Sequence, residues 1–157
     1  MRKVRGAAMN KNKKAILPAA LIAAVTAFIF SNSLKNGPES QEDSDIFLDL
    51  LRPILNWIFG DDPEVLNYVV RKAAHMAEFF VLALLICWLS HAVQKKFHGY
   101  GLLYPLSVAI IDEFIQSFTG RTSMVLDVMI DFAGALLGFG LVLLIRKIRK
   151  KPSKDES

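Results

Sequence analysis

Residues 110–134 read IIDEFIQSFTGRTSMVLDVMIDFAG, and this stretch decides how the chain is organised. It contains two apolar runs joined by a short turn, and both runs carry carboxylates. Asp112 and Glu113 lie near the end of the first run, and Asp127 and Asp131 lie near the start of the second. An ionised group at the centre of a bilayer costs roughly 2.5–3.5 kcal/mol on insertion scales, and such groups mark functional sites by default. The stretch therefore predicts membrane helices with a polar site between them.

The composition agrees with a small helical membrane protein. The chain has 157 residues, of which 53% are hydrophobic, and its mean hydropathy is +0.35. This length predicts a single domain. The one cysteine, Cys87, lies inside an apolar run, which excludes an intramolecular disulfide and a cysteine metal site. We expect Cys87 to act as a small buried or lipid-facing hydrophobic residue.

Four apolar runs of roughly 17–22 residues are long enough to cross about 30 Å of hydrocarbon. They lack the alternation of barrel strands, so each is interpreted as a helix, because lipid requires every backbone polar group to be satisfied internally. The predicted fold is all-α: a small polytopic membrane protein with four transmembrane helices in a single domain over residues 15–146. The predicted helices cover about residues 15–32, 69–90, 102–118 and 124–145.

Basic residues set the predicted orientation. Residues 1–14 contain six Lys or Arg and no acid, whereas residues 33–68 contain eight acids and two bases. Lys95 and Lys96 lie after the second run, and six further Lys or Arg follow from residue 146 onward. The positive-inside rule then makes residues 1–14 and 147–157 basic cytoplasmic tails. The alternative for the first run, a cleaved secretory signal, leaves the orientation of the other runs unchanged.

The first extracytoplasmic loop contains an amphipathic segment, residues 46–59. Its apolar positions follow a helical period, but it is too short and too charged to span a membrane. We expect a short interfacial helix with Trp57 at headgroup level, broken or kinked near Pro53. The alternative is a lid packed over the helix bundle.

The second run carries its own charged face. Asp62 and Pro63 form a helix start, with the aspartate as N-cap. Arg71, His75 and Glu78 then fall on one helical face, and a histidine in such company is a better site candidate than a lone structural histidine. Lys72 lies beside them and is expected to snorkel outward.

All these groups share one predicted depth, about 5–13 Å below the outer surface at 1.5 Å per residue. Bringing them together in one polar network facing the bundle interior is the least costly arrangement. Gly134 and Gly138 continue the Asp127–Asp131 face and form GxxxG, which permits close helix approach and contact between copies. The alternative is purely structural: buried ion pairs that fix the packing. The predicted binding residues are Arg71, Lys72, His75, Glu78, Asp112, Glu113, Gln116, Arg121, Asp127 and Asp131.

Several ordered blocks resemble the VanZ-like family of small bacterial membrane proteins. They are FSNSLKNGPES after the first run, RKAAHMAEFF in the second, and DEFIQSFTGRTSMVLDVMID followed by GALLG across the third and fourth. The resemblance covers about residues 16–145. It implies a site containing most of the binding residues above together with Gly134. Two positions depart from the family pattern: Ser31-Asn32-Ser33 replaces a frequent Ser-Ser-Gln, and Asp131 replaces a frequent asparagine.

The resemblance implies a bacterial cytoplasmic-membrane protein, because the family's name member is associated with low-level teicoplanin resistance in Gram-positive bacteria. The first hypothesis is therefore an envelope protein that modulates susceptibility to teicoplanin-type lipoglycopeptides through its polar cluster. Its expected partners are the lipid bilayer and a lipid-linked envelope component or glycopeptide. Nucleic acid is not expected, because no aromatic residues interleave with the bases.

Two other hypotheses stay open at this point. One is an intramembrane enzyme acting on a lipid head group or cell-wall precursor, whose candidate catalytic residues are Glu113, His75, Glu78 and Asp127. No cofactor is expected, and a metal version of that site is disfavoured because it contains a single histidine. The other is a small proton- or ion-coupled carrier, for which four helices are few.

Overall fold

The computed structural model describes residues 2–35, 48–49, 52–93, 99–119 and 125–149, with the backbone alone over 2–12 and 99–100. The described chain is helical, as predicted. Helix α1 spans Arg2–Ser33, α2 spans Pro63–Ala92, α3 spans Leu103–Phe118 and α4 spans Val125–Arg149. A 3₁₀ turn over Gly99–Leu102 leads into α3.

The helix bounds differ from the predicted spans mainly because helices continue beyond the hydrocarbon-length runs. The α1 helix begins at Arg2, so residues 2–14 are helical and continuous with the first span. The α2 helix begins at Pro63, and the Asp62 carboxylate accepts a hydrogen bond from Glu64 N at 3.0 Å, which confirms the predicted cap. The α4 helix continues to Arg149.

The α4 helix packs parallel to α2. A Cβ atom added to Gly134 would meet the Met76 carbonyl oxygen, and one added to Gly138 would lie 2.7 Å from the Phe80 carbonyl oxygen. Residue numbers rise together along the two helices, so both run in the same direction. Because the two glycines are buried against α2 of the same chain, a contact between copies through this face would require α2 to move away.

The α1 and α3 helices also run parallel to each other. Thr26 lies 3.0 Å from the Tyr104 hydroxyl, and further along both helices Ser33 bonds to Asp112. Since α2 ends at the opposite end of the bundle from the start of α4, α3 runs back along the bundle between them. The four helices therefore alternate in direction.

An apolar core fills one half of this bundle and receives residues from all four helices. Phe79, Leu82 and Ala83 of α2 are fully buried at its centre, and Ala109 and Ala135 let α3 and α4 approach. Cys87 is buried in the same cluster, as expected of a small hydrophobic residue. The other members of the core are Ile22, Ile29, Ile86, Val108 and Phe139.

Polarity is inverted relative to a water-soluble bundle, because large apolar side chains cover the surface while carboxylates are buried. By length and composition three of the described helices could cross a membrane: Lys13–Ser33, Pro63–Ala92 and Val125–Arg149. The α3 helix has 16 residues, about 24 Å of helix. The chain is therefore a helical membrane protein.

The amphipathic segment of the first loop lies against the start of α2. Residues 48–49 and 52–59 are helical, and Pro53 lies in the second of these two stretches. Leu48 and Leu55 pack against Leu66 and Val70. Trp57 on the other side is 86% exposed. The predicted apolar positions 47, 50 and 51 lie outside the described residues.

Candidate functional site

Polar side chains are buried together at the end of the bundle where α1 and α3 finish and α4 begins. Each of the four helices contributes at least one of them. Burial of so many ionisable groups is unusual for a small bundle, since such groups are almost never buried without partners. The buried polar residues are Ser33, His75, Asp112, Glu113, Gln116, Asp127 and Asp131, and together they define the polar cluster.

Asp112 of α3 lies at the centre of the polar cluster and is completely buried. The Ser33 hydroxyl donates to its Oδ1 atom, and Gln116 Nε2, one turn along α3, donates to its Oδ2 atom at 2.7 Å. The same hydroxyl lies 3.1 Å from the Ile29 carbonyl oxygen, and its single proton cannot serve both acceptors at once. Two neutral donors therefore fix the orientation of this carboxylate.

His75 of α2 faces two carboxylates. Its Nδ1 atom lies 4.0 Å from Asp112 Oδ2 and 3.9 Å from Asp131 Oδ1. These three residues form the one group of His, Cys, Asp and Glu among the described residues whose atoms have metal-ligand spacing, all within 4.8 Å of one another. Glu78, Glu113 and Asp127, the carboxylates of the metal version considered from the sequence, are not in this group.

Lys72 pairs with Asp127 across the α2–α4 contact. The ammonium contacts Asp127 Oδ1, and the two side chains are only 16% and 9% exposed. The ammonium also lies 5.3 Å from the centre of the Tyr68 ring, close enough for a cation–π contribution. The expectation that Lys72 snorkels outward is therefore wrong, because a carboxylate one helix away offers it a partner inside the bundle.

Glu78 bonds to α1. Its Oε1 atom accepts a hydrogen bond from Asn32 Nδ2 at 3.0 Å. The Thr119 hydroxyl, at the end of α3, lies 3.3 Å from the Ser33 carbonyl oxygen of α1 and 3.0 Å from the Gln116 carbonyl oxygen of its own helix, so the ends of α1 and α3 lie side by side. Glu113 is 5% exposed and belongs to the polar cluster.

The two predicted arginines are placed differently. Arg71 lies on α2 one turn before His75 and is partly buried. Its Nε atom is buried, and within the described part of the chain no acceptor bonds to it. Arg121 lies outside the described residues.

Two residues that bond to carboxylates of the site, Ser33 and Asn32, are absent from the predicted binding residues. Both lie in the polar triplet at the end of the first apolar run, which reads equally well as a solvated helix end. Their partners, Asp112 and Glu78, are 79 and 46 residues away in the sequence. These two residues could have been identified from the polarity of the triplet together with its predicted depth in the membrane, which matches the depth of the carboxylates.

The chain matches one family model, described as VanZ/LLP1, over residues 16–146. Neither the curated proteins nor the solved structures yield a match. The matched range contains all four described helices except the start of α1 and the end of α4, and it includes the whole polar cluster. The chain therefore belongs to the VanZ/LLP1 family.

Proposed function

We propose that this protein resides in the bacterial cytoplasmic membrane and lowers susceptibility to teicoplanin-type lipoglycopeptides by engaging a lipid-linked envelope component. In this proposal the chain crosses the membrane four times with both termini in the cytoplasm. The polar cluster then lies in the outer half of the bilayer, where lipid-linked cell-wall components present their head groups. Basic tails and an acidic first loop support the orientation.

The observation that carries the proposal is the convergence of four buried carboxylates, His75 and Lys72 from three helices at one end of the bundle. Packing does not require it, because the other half of the bundle packs through apolar residues and through Gly138. Intramembrane ionisable groups are retained at a cost, which favours a binding role over a packing role.

The chemistry of the cluster favours a head group with both donors and acidic oxygens. Carboxylates accept hydrogen bonds from hydroxyl, amide or ammonium groups. Arg71 adds a buried Nε donor that lacks an acceptor among the described residues, and a guanidinium is well suited to phosphate or carboxylate. A phosphorylated, amine- or sugar-bearing lipid head group fits both requirements.

The amphipathic segment in the first loop extends the proposed contact surface. Ile54, Trp57 and Ile58 are exposed on its outer side while Leu55 packs towards α2. A tryptophan with neighbouring apolar residues is typical of a helix lying at the lipid interface. We propose that this surface lies beside the lipid anchor of the bound component.

A susceptibility comparison tests the proposal. Wild type, Glu113→Gln, Arg121→Ala and the exposed-residue control Glu64→Gln are expressed at equal membrane levels in a sensitive Gram-positive host. We expect wild type and Glu64→Gln to raise the inhibitory concentration of teicoplanin but not of vancomycin, and the two site variants to lose this protection. Equal protection against both antibiotics, or full protection by Glu113→Gln and Arg121→Ala, contradicts the proposal.

A further inference from the structure

We propose that His75, Asp112 and Asp131 bind a divalent transition-metal ion, with Zn²⁺ as the best-fitting ion, inside the polar cluster. The inference deepens the proposed function and rests on it, because both place a binding site in this cluster. The ion would be held by one imidazole nitrogen and two carboxylate oxygens, one from each of α2, α3 and α4.

The three side chains lie close enough to share an ion after small shifts. Zinc binds nitrogen and oxygen at about 2.0–2.2 Å, so two ligands of a tetrahedral ion lie about 3.3–3.6 Å apart. His75 Nδ1 lies 4.0 Å from Asp112 Oδ2 and 3.9 Å from Asp131 Oδ1. The largest of the three separations is within 4.8 Å, so side-chain shifts below about 1 Å bring all three atoms into reach of the ion.

The surroundings of Asp112 resemble the support that metal-binding carboxylates receive. Ligating carboxylates are themselves hydrogen-bonded, and these partners fix their orientation. Gln116 donates to the same Oδ2 atom that faces His75, and Ser33 donates to Oδ1. Each carboxylate oxygen accepts more than one interaction, so Oδ2 can bind an ion while it accepts the amide bond.

Asp131 supplies the independent observation that points to a ligand. The residue is 2% exposed, and no donor among the described residues bonds to its buried Oδ2 atom. A buried carboxylate oxygen without a donor is costly, more so than a neutral group. A metal ion beside this carboxylate would remove that cost.

Charge also favours a cation at this position. Asp131 lies within electrostatic range of Asp112, Glu113 and Asp127. A divalent cation among neighbouring carboxylates lowers their mutual repulsion, which is strong in a low-dielectric environment.

The ligand set selects the class of ion. Calcium and magnesium take six or more oxygens, whereas one imidazole with two carboxylates suits zinc and its first-row neighbours. Three protein ligands leave a fourth zinc position open. A phosphate or carboxylate oxygen of the proposed head group could occupy that position.

The experiment uses the full-length protein in detergent micelles, with any histidine tag removed and metal stripped by a chelator. Zn²⁺ is titrated by calorimetry into wild type, His75→Gln, Asp131→Asn and the control Asp127→Asn, which removes one cluster charge but no proposed ligand. We expect one ion per wild-type chain, at least about 100-fold weaker binding for the two ligand variants, and less than about 10-fold weakening for the control.

X-ray absorption at the zinc edge of loaded wild type provides a second readout that does not depend on a variant folding. We expect one imidazole nitrogen with oxygen neighbours. No stoichiometric zinc in wild type, a spectrum without imidazole, or equal weakening by Asp127→Asn and Asp131→Asn overturns the metal site.

The susceptibility comparison separates this inference from the proposed function. Stoichiometric zinc with no teicoplanin protection by wild type overturns the proposed function and supports the metal site. Teicoplanin protection by a chain that binds no zinc overturns the metal site and supports the proposed function.

Discussion

Ser33, the last residue of α1, donates its hydroxyl proton to Asp112 of α3, although 79 residues separate the two in the sequence. Both side chains are completely buried. The bond joins the end of the first apolar helix to the central carboxylate of the polar cluster. Asp112 also accepts a hydrogen bond from Gln116 and faces His75. A substitution at Ser33 therefore perturbs the polar cluster without changing its charge.

The Ser33–Asp112 bond predicts a specific loss of stability. Ser33→Ala removes a hydrogen-bond donor from a buried carboxylate, which should lower the free energy of unfolding by about 1–2 kcal/mol. Ser31→Ala is the matched control, because Ser31 is exposed and its hydroxyl donates to the Phe28 carbonyl oxygen of its own helix, and it should cost less than about 0.5 kcal/mol. The measurement is unfolding in mixed micelles with increasing SDS, followed by circular dichroism. Equal stability of the two variants would contradict the role of this bond.

The sequence predicts the helices and the inward face of α4 well, because both are local features. Apolar length identifies a helix in lipid, and the spacing of Asp127, Asp131, Gly134 and Gly138 defines one face whatever the neighbours are. All four of these residues are buried, as predicted. The cap at Asp62 is equally local.

Pairwise contacts between helices are harder to predict, because they depend on how each helix is rotated about its axis. Ser33 reads as a solvated helix end and Lys72 as a snorkelling cation when each helix is considered alone. The structure turns Ser33 towards Asp112 and Lys72 towards Asp127. Helix period places a residue on a face, but the neighbouring helix decides which partner that face meets.

The Lys72–Asp127 pair should show strong coupling. Lys72→Met leaves a buried carboxylate without its cation and should cost about 3–5 kcal/mol, whereas the double variant with Asp127→Leu removes both charges and should be less destabilised than the sum of the single changes. A double-mutant cycle in the micelle assay measures this. The exposed pair Arg52–Asp49 at 3.9 Å is the control, and Asp49→Asn should change stability by less than about 0.5 kcal/mol. Additive effects of the two changes at Lys72 and Asp127 would contradict the pair.

The close approach of α4 to α2 predicts opposite effects for two glycines of the same helix. Gly134→Ala places a methyl group against the Met76 backbone, which cannot rotate away, so the helices must separate at a cost of about 1–3 kcal/mol. Gly140 has no atom within 4 Å of an added Cβ, so Gly140→Ala should be neutral or stabilising by up to about 1 kcal/mol. Unfolding of both variants under identical conditions measures the difference. A tolerated alanine at 134 would show that α2 and α4 are not held at this distance.

The alternating directions of the helices predict where each end lies relative to the membrane. In a Cys87→Ser background, single cysteines replace the exposed residues Asp61, His91 and Lys147, and intact cells are treated with a membrane-impermeant maleimide. If the chain crosses four times with cytoplasmic termini, only Asp61→Cys reacts with the reagent in intact cells, and His91→Cys and Lys147→Cys react after permeabilisation.

The labelling of Lys147→Cys depends on α3. If this 16-residue helix did not cross, α4 would start on the same side as His91 and carry Lys147 to the outer face. Labelling of Lys147→Cys in intact cells would therefore reduce the count to three crossings. It would also place the start of α4, with Asp127 and Asp131, on the opposite side from the end of α1, which contradicts the Ser33–Asp112–His75–Asp131 arrangement itself.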